Sequence, residues 1–145
     1  MKKIVLAIAV VALSLGAATT ANAATVTKLT VSANGANESV NGAMKGTATG
    51  TFTVNESKNT LCSNIKVRGL AGVAAAHIHK GAAGVDGAVV ATLNIAKFNR
   101  AGNSCVKVAH AIAADIAMNP SGYYFNVHTK AIPGGAIRGQ LKAKM

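Results

Sequence analysis

Three histidines have the residue type and the spacing of a metal site. His77 and His79 are separated by one residue and end an apolar run. Side chains alternate between the two faces of a β-strand, so both imidazoles would share one face and Ile78 would take the other. His128 lies in a second predicted strand, residues 123–129. If the two strands are close together, three imidazoles suit Zn²⁺ or Cu²⁺.

The same residues also support an interpretation without metal. In it, they form a hydrogen-bonded polar network inside the β-sandwich or at its mouth, and the network sets the strand register. Its members would be the three histidines together with Tyr124, Asn126, Arg138 and Gln140. Arg138 favours this interpretation, because a fixed positive charge repels a divalent cation unless a carboxylate lies between them. The sequence leaves both interpretations open.

The residue pattern predicts no catalytic centre. The chain has no GxSxG motif, and the glycines of the turn at 80–87 match neither GxGxxG nor GxxxxGK. The four acidic residues fall in separate elements or turns, namely Glu38, Glu56, Asp86 and Asp115. General acid/base catalysis by paired carboxylates is therefore not expected. We expect a protein that is not an enzyme.

Residues 1–23 have the features of a secretory signal peptide. Two lysines precede the apolar stretch 4–15, which is too short for a stable membrane span, and Ala21-Asn22-Ala23 fits the small-x-small cleavage rule. We expect cleavage after Ala23, which leaves residues 24–145 as one domain. The protein would then be periplasmic or extracellular and would keep no integral membrane segment.

Cysteine usage agrees with export. Cys62 and Cys105 are the two cysteines of the chain, and an even pair in an oxidising compartment usually forms a disulfide. Closing a loop of about 44 residues would stabilise the fold by roughly 4 kcal/mol. A thiolate metal site is less favoured, because the close CxxC spacing of such sites is absent.

The chain is strongly basic, with 15 lysine and arginine residues against four acidic ones and a net charge of +11. Without the two lysines of the signal peptide, thirteen basic residues remain and the charge is +9. The basic residues are spread almost evenly along the sequence and five residues are aromatic, so a specific nucleic-acid surface is not predicted. We expect a solvated basic surface; adhesion to an anionic surface would instead show strong salt dependence.

Alternation of small or apolar residues with threonines, clearest in residues 45–54, predicts strands with one solvated face. Seven strands are predicted, at 25–33, 45–54, 60–67, 73–79, 88–93, 123–129 and 136–141. Residues 94–103 show no regular pattern. The alanine-rich segment 108–118 repeats its larger apolar residues every four positions and predicts a short helix; His110, in or beside it, is expected to be a surface histidine. We expect an all-β fold, an antiparallel β-sandwich or barrel of about seven strands with one short helix.

Four motifs resemble the CHRD domain family, which is named for its occurrence in chordin. They are LCSNIKVRGL at 61–70, AAHIHKGAAGVDGAVV at 75–90, NPSGYYFNVHT at 119–129 and GGAIRGQL at 134–141, in the family's order. The resemblance implies an all-β domain that is often the only domain of bacterial members, and it implies no general enzymatic activity. The growth-factor binding associated with chordin's neighbouring cysteine-rich modules does not transfer to a chain that lacks those modules.

Together these features predict an exported, non-catalytic binding or interaction module whose ligand, a protein or a surface, is unknown. The alternative is a periplasmic or secreted metalloprotein that binds zinc or copper through His77, His79 and His128. Chelation distinguishes the two, because only a metalloprotein would lose bound metal and thermal stability on treatment with a chelator.

Overall fold

The computed structural model describes residues 25–39 and 41–145. The expected signal peptide and its cleavage site lie outside the described residues. In chain order the elements are β1 (Val26–Asn34), β2 (Thr47–Asn55), β3 (Thr60–Arg68), β4 (Val73–Lys80), β5 (Val89–Thr92), β6 (Ser104–Lys107), α1 (His110–Met118), β7 (Tyr123–Thr129) and β8 (Ile137–Ala143). Across 25–39 and 41–145, no helix has the length and apolar character needed to cross a membrane.

The eight strands form one antiparallel sheet in the order β5-β4-β7-β8-β1-β2-β3-β6. The two edge strands, β5 and β6, approach each other, so the sheet curls into a nearly closed barrel. Curling brings the apolar faces of all strands onto one shared core and shields the edges of the sheet. The predicted all-β class is confirmed, and the strand count is eight instead of seven.

The strand that the sequence analysis missed is β6. It has four residues, Ser104–Lys107, and Val106 is the one aliphatic residue among them, so no apolar run marks the strand. It is held by its partner β3, where Cys62 lies directly opposite Cys105 in the strand register. These two residues form the predicted disulfide. A covalent link between facing residues stabilises a strand that its own sequence specifies only weakly.

One face of the sheet supplies the core. In β2 the side chains of Ala48, Phe52 and Val54 are buried, whereas the threonines between them face outward. The largest apolar side chains that are fully buried are Phe52, Phe125, Leu29, Leu61, Ile65, Ile78, Ile116, Ile137 and Leu141. Burying each of them stabilises the fold by about 1.5–3 kcal/mol relative to exposure. The core therefore depends on strand residues at alternate positions, as a period of two requires.

The helix α1 packs on the barrel through Ala113 and Ile116, which are both fully buried. It begins at His110, two positions later than predicted, because Ala109 still has an extended backbone. His110 is exposed, as expected, and its Nδ1 lies 3.0 Å from the side-chain oxygen of Asn59.

Candidate metal centre

Strand register brings the three histidines together. Strands β4 and β7 are adjacent and antiparallel, with Ala75 opposite His128 and His77 opposite Asn126. The histidines of β4 therefore lie beside His128 on the same face of the sheet. One candidate ligand atom from each of His77, His79 and His128 lies within 4.8 Å of the other two. The strand adjacency on which the metal prediction depended is thus present in the fold.

His79 has one ring nitrogen fixed and the other unused. Its Nδ1 lies 2.8 Å from the carbonyl oxygen of Gly87, and because that oxygen can only accept, Nδ1 carries the proton and donates it. In the neutral ring Nε2 then holds a lone pair. This nitrogen is buried and has no hydrogen-bond partner in residues 25–39 and 41–145. The ring also stacks on Tyr124, with centroids 4.8 Å apart, which restricts its orientation.

The ring of His128 is also oriented by a hydrogen bond to a backbone carbonyl. Its Nδ1 donates to the carbonyl oxygen of Pro133 at 2.8 Å, so Nε2 of the neutral ring again carries the lone pair. That Nε2 lies 3.1 Å from Nδ1 of His77. In the absence of metal, Nδ1 of His77 carries a proton and donates it to Nε2 of His128.

The surroundings favour neutral imidazoles. Burial lowers the pKa of His77, and the neighbouring His128 and His79 lower it further. Burial also lowers the pKa of His79, although the hydrogen bond to Gly87 acts in the opposite direction. Imidazoles with a lowered pKa are unprotonated at neutral pH, and their lone pairs are available.

The three nitrogens fit a transition metal. Zinc–nitrogen bonds of about 2.0–2.1 Å in a tetrahedral site separate two ligand nitrogens by about 3.3 Å. The 3.1 Å between the nitrogens of His77 and His128 is close to that value, and pairs up to 4.8 Å apart would close by about 1.5 Å through side-chain rotation. Metal-bound histidines commonly donate their other ring N–H to a carbonyl or carboxylate oxygen. His79 and His128 both make this contact.

The other predicted network residues lie on the same face of the sheet, but this face is outside the barrel. Their neighbours along the strands, Ile78, Phe125 and Ile137, occupy the core, so alternation turns the polar side chains away from it. Two loops cover the polar face, the β4–β5 loop (residues 81–88) and the described part of the β1–β2 loop (residues 35–39 and 41–46). Loops rather than a second sheet therefore bury these groups.

The hydrogen bonds of the network run mainly to the backbone of the β4–β5 loop. Arg138, which is 1% exposed, donates to the carbonyl oxygens of Ala82 at 2.8 Å and Val85 at 2.6 Å. Gln140 donates to the Gly81 carbonyl at 3.0 Å. Tyr124 accepts from the backbone N–H of Gly87, the residue whose carbonyl orients His79. The side chains that hold this loop therefore also fix one histidine.

The charge of Arg138 is partly compensated by a neighbouring carboxylate. Its guanidinium is 3.0 Å from the carboxylate of Asp86. The guanidinium also lies 3.5 Å from the centre of the Tyr124 ring. The same ring stacks on His79. In addition to burial, Arg138 lowers the pKa of His79 and Asp86 raises it, so the expected repulsion acts at His79 and is partly offset by this carboxylate.

Glu38 is a member of this polar layer that the sequence did not reveal. Its Oε1 accepts from the side-chain amide of Asn126 at 2.6 Å, which accounts for the burial of that amide. Burial raises the pKa of Glu38 to about 7, although Arg138 lowers it. The two partners are 88 positions apart, and no local motif marks either of them. The carboxylates of Glu38 and Asp86, which the sequence placed in separate elements, both lie near Arg138.

The family comparison includes every residue of this centre. The family model described as CHRD domain matches residues 29–141. This range contains the three histidines, Arg138 and both cysteines. No curated protein and no solved structure gives a significant match. Because the match extends over most of the chain and agrees with the all-β fold, the chain belongs to the CHRD domain family.

Proposed function

We propose that this CHRD domain is a non-catalytic binding module that holds one zinc or copper ion on His77, His79 and His128. The buried Nε2 of His79 carries the proposal, because it has no hydrogen-bond partner among the described residues. A buried polar atom without a partner costs about 1–3 kcal/mol. A metal ion bound to this lone pair would remove that cost.

The proposed ligands are Nε2 of His79, Nε2 of His128 and Nδ1 of His77. Metal binding would replace the proton between His77 and His128, and His77 would then carry its proton on the other ring nitrogen. Three protein ligands leave one position of a tetrahedral ion open to water or a further ligand. The half-buried position of His77 and His128 keeps that position accessible from solvent.

The donor set favours zinc and copper over other common cations. Neutral imidazoles are preferred ligands of these metals, whereas calcium and magnesium require oxygen donors. Copper(II) binds nitrogen sites more tightly than zinc does. The order of affinity expected for this site is therefore copper above zinc, with no measurable binding of calcium.

Binding without catalysis is supported by the bonding of side chains that could otherwise react. Both cysteines form the disulfide. Asp115 pairs with Lys80 at 2.8 Å, and Asp86 pairs with Arg138. The disulfide also supports function in an oxidising compartment outside the cytoplasm.

A second candidate is a binding module for an unidentified protein or surface ligand in which the histidines are structural. The hydrogen bond between His77 and His128 favours it, because these two rings satisfy each other without metal. In that case chelators would not change the stability of the purified protein.

The test is elemental analysis of the protein after incubation with zinc or copper and removal of excess ion. A variant with His77→Ala and His79→Ala is compared with His110→Ala, which removes an exposed histidine on α1. We expect near-stoichiometric metal in the wild type and in the His110 variant, and none in the double variant. At a free metal concentration of about 100 Kd, the bound ion should stabilise the fold by about 2.7 kcal/mol. A wild type that retains no metal and gains no stability would contradict the proposal.

A further inference from the structure

The outer face of β1, β2 and β3 is covered by hydroxyl groups. Thr47, Thr49 and Thr51 of β2 are exposed and stand in one row along the strand, since alternate residues share a face. Thr30 of β1 lies opposite Thr51, and Asn64 of β3 lies opposite Thr51 on the other side. The register thus extends the row into a polar surface on the outside of the barrel.

Basic residues that are distant in sequence surround this surface. Lys66 lies opposite Thr49, Lys28 opposite Thr53 and Lys142 opposite Thr30. We call the surface formed by the outward residues of β1, β2 and β3 with Lys142 and Lys144 the basic face. The even spread of lysines along the sequence therefore does not persist in the fold, because strand pairing gathers several of them on one side.

The strands of the basic face carry no carboxylate, and Glu56 lies beyond their end in the turn between β2 and β3. Strands β1, β2, β3, β6 and β8 contain no aspartate or glutamate. Among residues 25–39 and 41–145, the two ion pairs involve Lys80 and Arg138, and neither lies on the basic face. Uncompensated cations on one side of a protein raise the local concentration of anionic partners.

Two depressions flank the threonine row. One, of about 190 Å³, is lined by Lys28, Lys144, Thr51 and Thr53 among others. The other, of about 330 Å³, is lined by Lys66, Val67, Arg68 and Asn99. Each depression combines ammonium or guanidinium groups with hydroxyl or amide groups.

We propose that the basic face binds an acidic polysaccharide. Lysine and arginine pair with carboxylates, while threonine and asparagine side chains donate to and accept from sugar hydroxyls. The face offers no aromatic side chain on which nucleobases could stack. Val26, at the start of β1, is its only exposed large apolar residue, which is too little for insertion into a lipid surface. A solvent-exposed surface rich in hydroxyls and cations therefore fits a charged glycan better than a nucleic acid or a lipid surface.

This inference is independent of the metal site, which lies on the outer face of β4 and β7. Binding of the polysaccharide is therefore expected to persist in EDTA and in the variant with His77→Ala and His79→Ala. Loss of metal binding would leave it intact, and loss of polysaccharide binding would leave the metal proposal intact.

The experiment measures binding of the purified protein to polygalacturonate, a carboxylated polysaccharide, at low and high salt. The test variant carries Lys66→Glu and Lys142→Glu on the basic face. The control carries Lys45→Glu and Lys130→Glu, which are exposed and lie elsewhere, and which change the net charge equally. We expect the test pair to weaken binding about tenfold or more at low salt, and the control pair about twofold, because contact cations dominate binding to a polyanion. The milder pair Lys66→Gln and Lys142→Gln should give an intermediate loss.

Equal weakening by the test and control pairs would overturn the proposal, because it would show that total charge alone governs binding. Unchanged binding in the test pair, with melting temperature as a check on folding, would also overturn it. Binding to duplex DNA or to anionic phospholipid vesicles as tight as binding to polygalacturonate would refute the assignment to a polysaccharide.

Discussion

Replacing Arg138 by methionine removes a buried cation and keeps a side chain of similar length. The guanidinium makes two hydrogen bonds to backbone carbonyls of the β4–β5 loop and one ion pair with Asp86. It is also stacked on Tyr124. The side chain of Arg138 is 2% exposed, whereas that of Asp86 is 70% exposed. The carbonyl contacts and the ion pair therefore differ greatly in their access to water.

This difference sets the expected magnitudes. A hydrogen bond from a charged group contributes about 1.5–3 kcal/mol, and the two carbonyl contacts together outweigh the recovered desolvation of the guanidinium. We expect Arg138→Met to cost about 2–4 kcal/mol of the free energy of unfolding. Asp86→Asn should cost at most about 1 kcal/mol, because a solvent-exposed ion pair is weak.

Urea unfolding measures both variants. With an m value of about 1–3 kcal/mol/M, the urea midpoint of the Arg138 variant should fall by at least about 0.7 M at unchanged m. Lys142→Met, an exposed substitution on the same strand, is the control and should stay within about 0.5 kcal/mol of the wild type. Hydrogen exchange should show faster exchange of loop amides, including that of Val85, in the Arg138 variant.

The reasoning would be refuted if Asp86→Asn destabilised the protein as much as Arg138→Met. That result would show that the stability provided by Arg138 comes from the exposed ion pair and not from the buried hydrogen bonds to the backbone carbonyls. An Arg138 variant as stable as the wild type would refute it as well, because the loop would then need no guanidinium.

Three further predictions concern other parts of the barrel. Replacing Cys62 and Cys105 together by alanine should lower the free energy of unfolding by about 4 kcal/mol, measured by urea unfolding, because the unfolded chain loses a crosslink. Ile116→Ala should cost about 2–5 kcal/mol in the same assay, because it opens a cavity beneath α1. The pKa of Glu38 is raised from 4.5 to about 7 on folding, so its contribution to stability is complete below pH 4.5 and is lost as pH rises through about 7. Melting temperatures between pH 5 and pH 8 should therefore fall less in Glu38→Gln than in the wild type.

Each of these predictions has a contradicting result. Reduction of the wild type by dithiothreitol should reproduce the cysteine variant, and equal stability with and without reductant would contradict the disulfide prediction. The exposed neighbour Met118 serves as a control for Ile116, and equal costs for Met118→Ala and Ile116→Ala would contradict the role of burial. Parallel pH profiles for the wild type and the Glu38 variant would show that this carboxyl does not titrate with folding.

The positions of the three histidines could be predicted because they depend on local periodicity. His77 and His79 share a face in any strand that contains both, and His128 takes its face from the alternation of the aromatic strand β7. The three histidines lie close together only if β4 and β7 are neighbouring strands. No local sequence pattern specifies that adjacency. The fold provides that adjacency through hydrogen bonding between strands about 50 residues apart in sequence.

What covers the site could not be predicted, because it depends on loops. Glu38 and Asp86 reach the polar layer from two loops without regular periodicity, and each finds a partner far away in sequence. The strand β6 escaped detection because it has one aliphatic residue, Val106, and therefore no apolar run. Strand order also decides which lysines share the basic face, so an even distribution along the chain concealed it.

X-ray absorption spectroscopy of the protein loaded with one equivalent of zinc tests the central claim most directly, because it identifies the atoms bound to the metal. We predict three imidazole nitrogens at about 2.0–2.1 Å and one oxygen ligand from solvent. The His110→Ala variant should give the same spectrum, and the variant with His77→Ala and His79→Ala should not. A wild-type spectrum with oxygen ligands and no imidazole scattering would contradict a metal centre built from His77, His79 and His128.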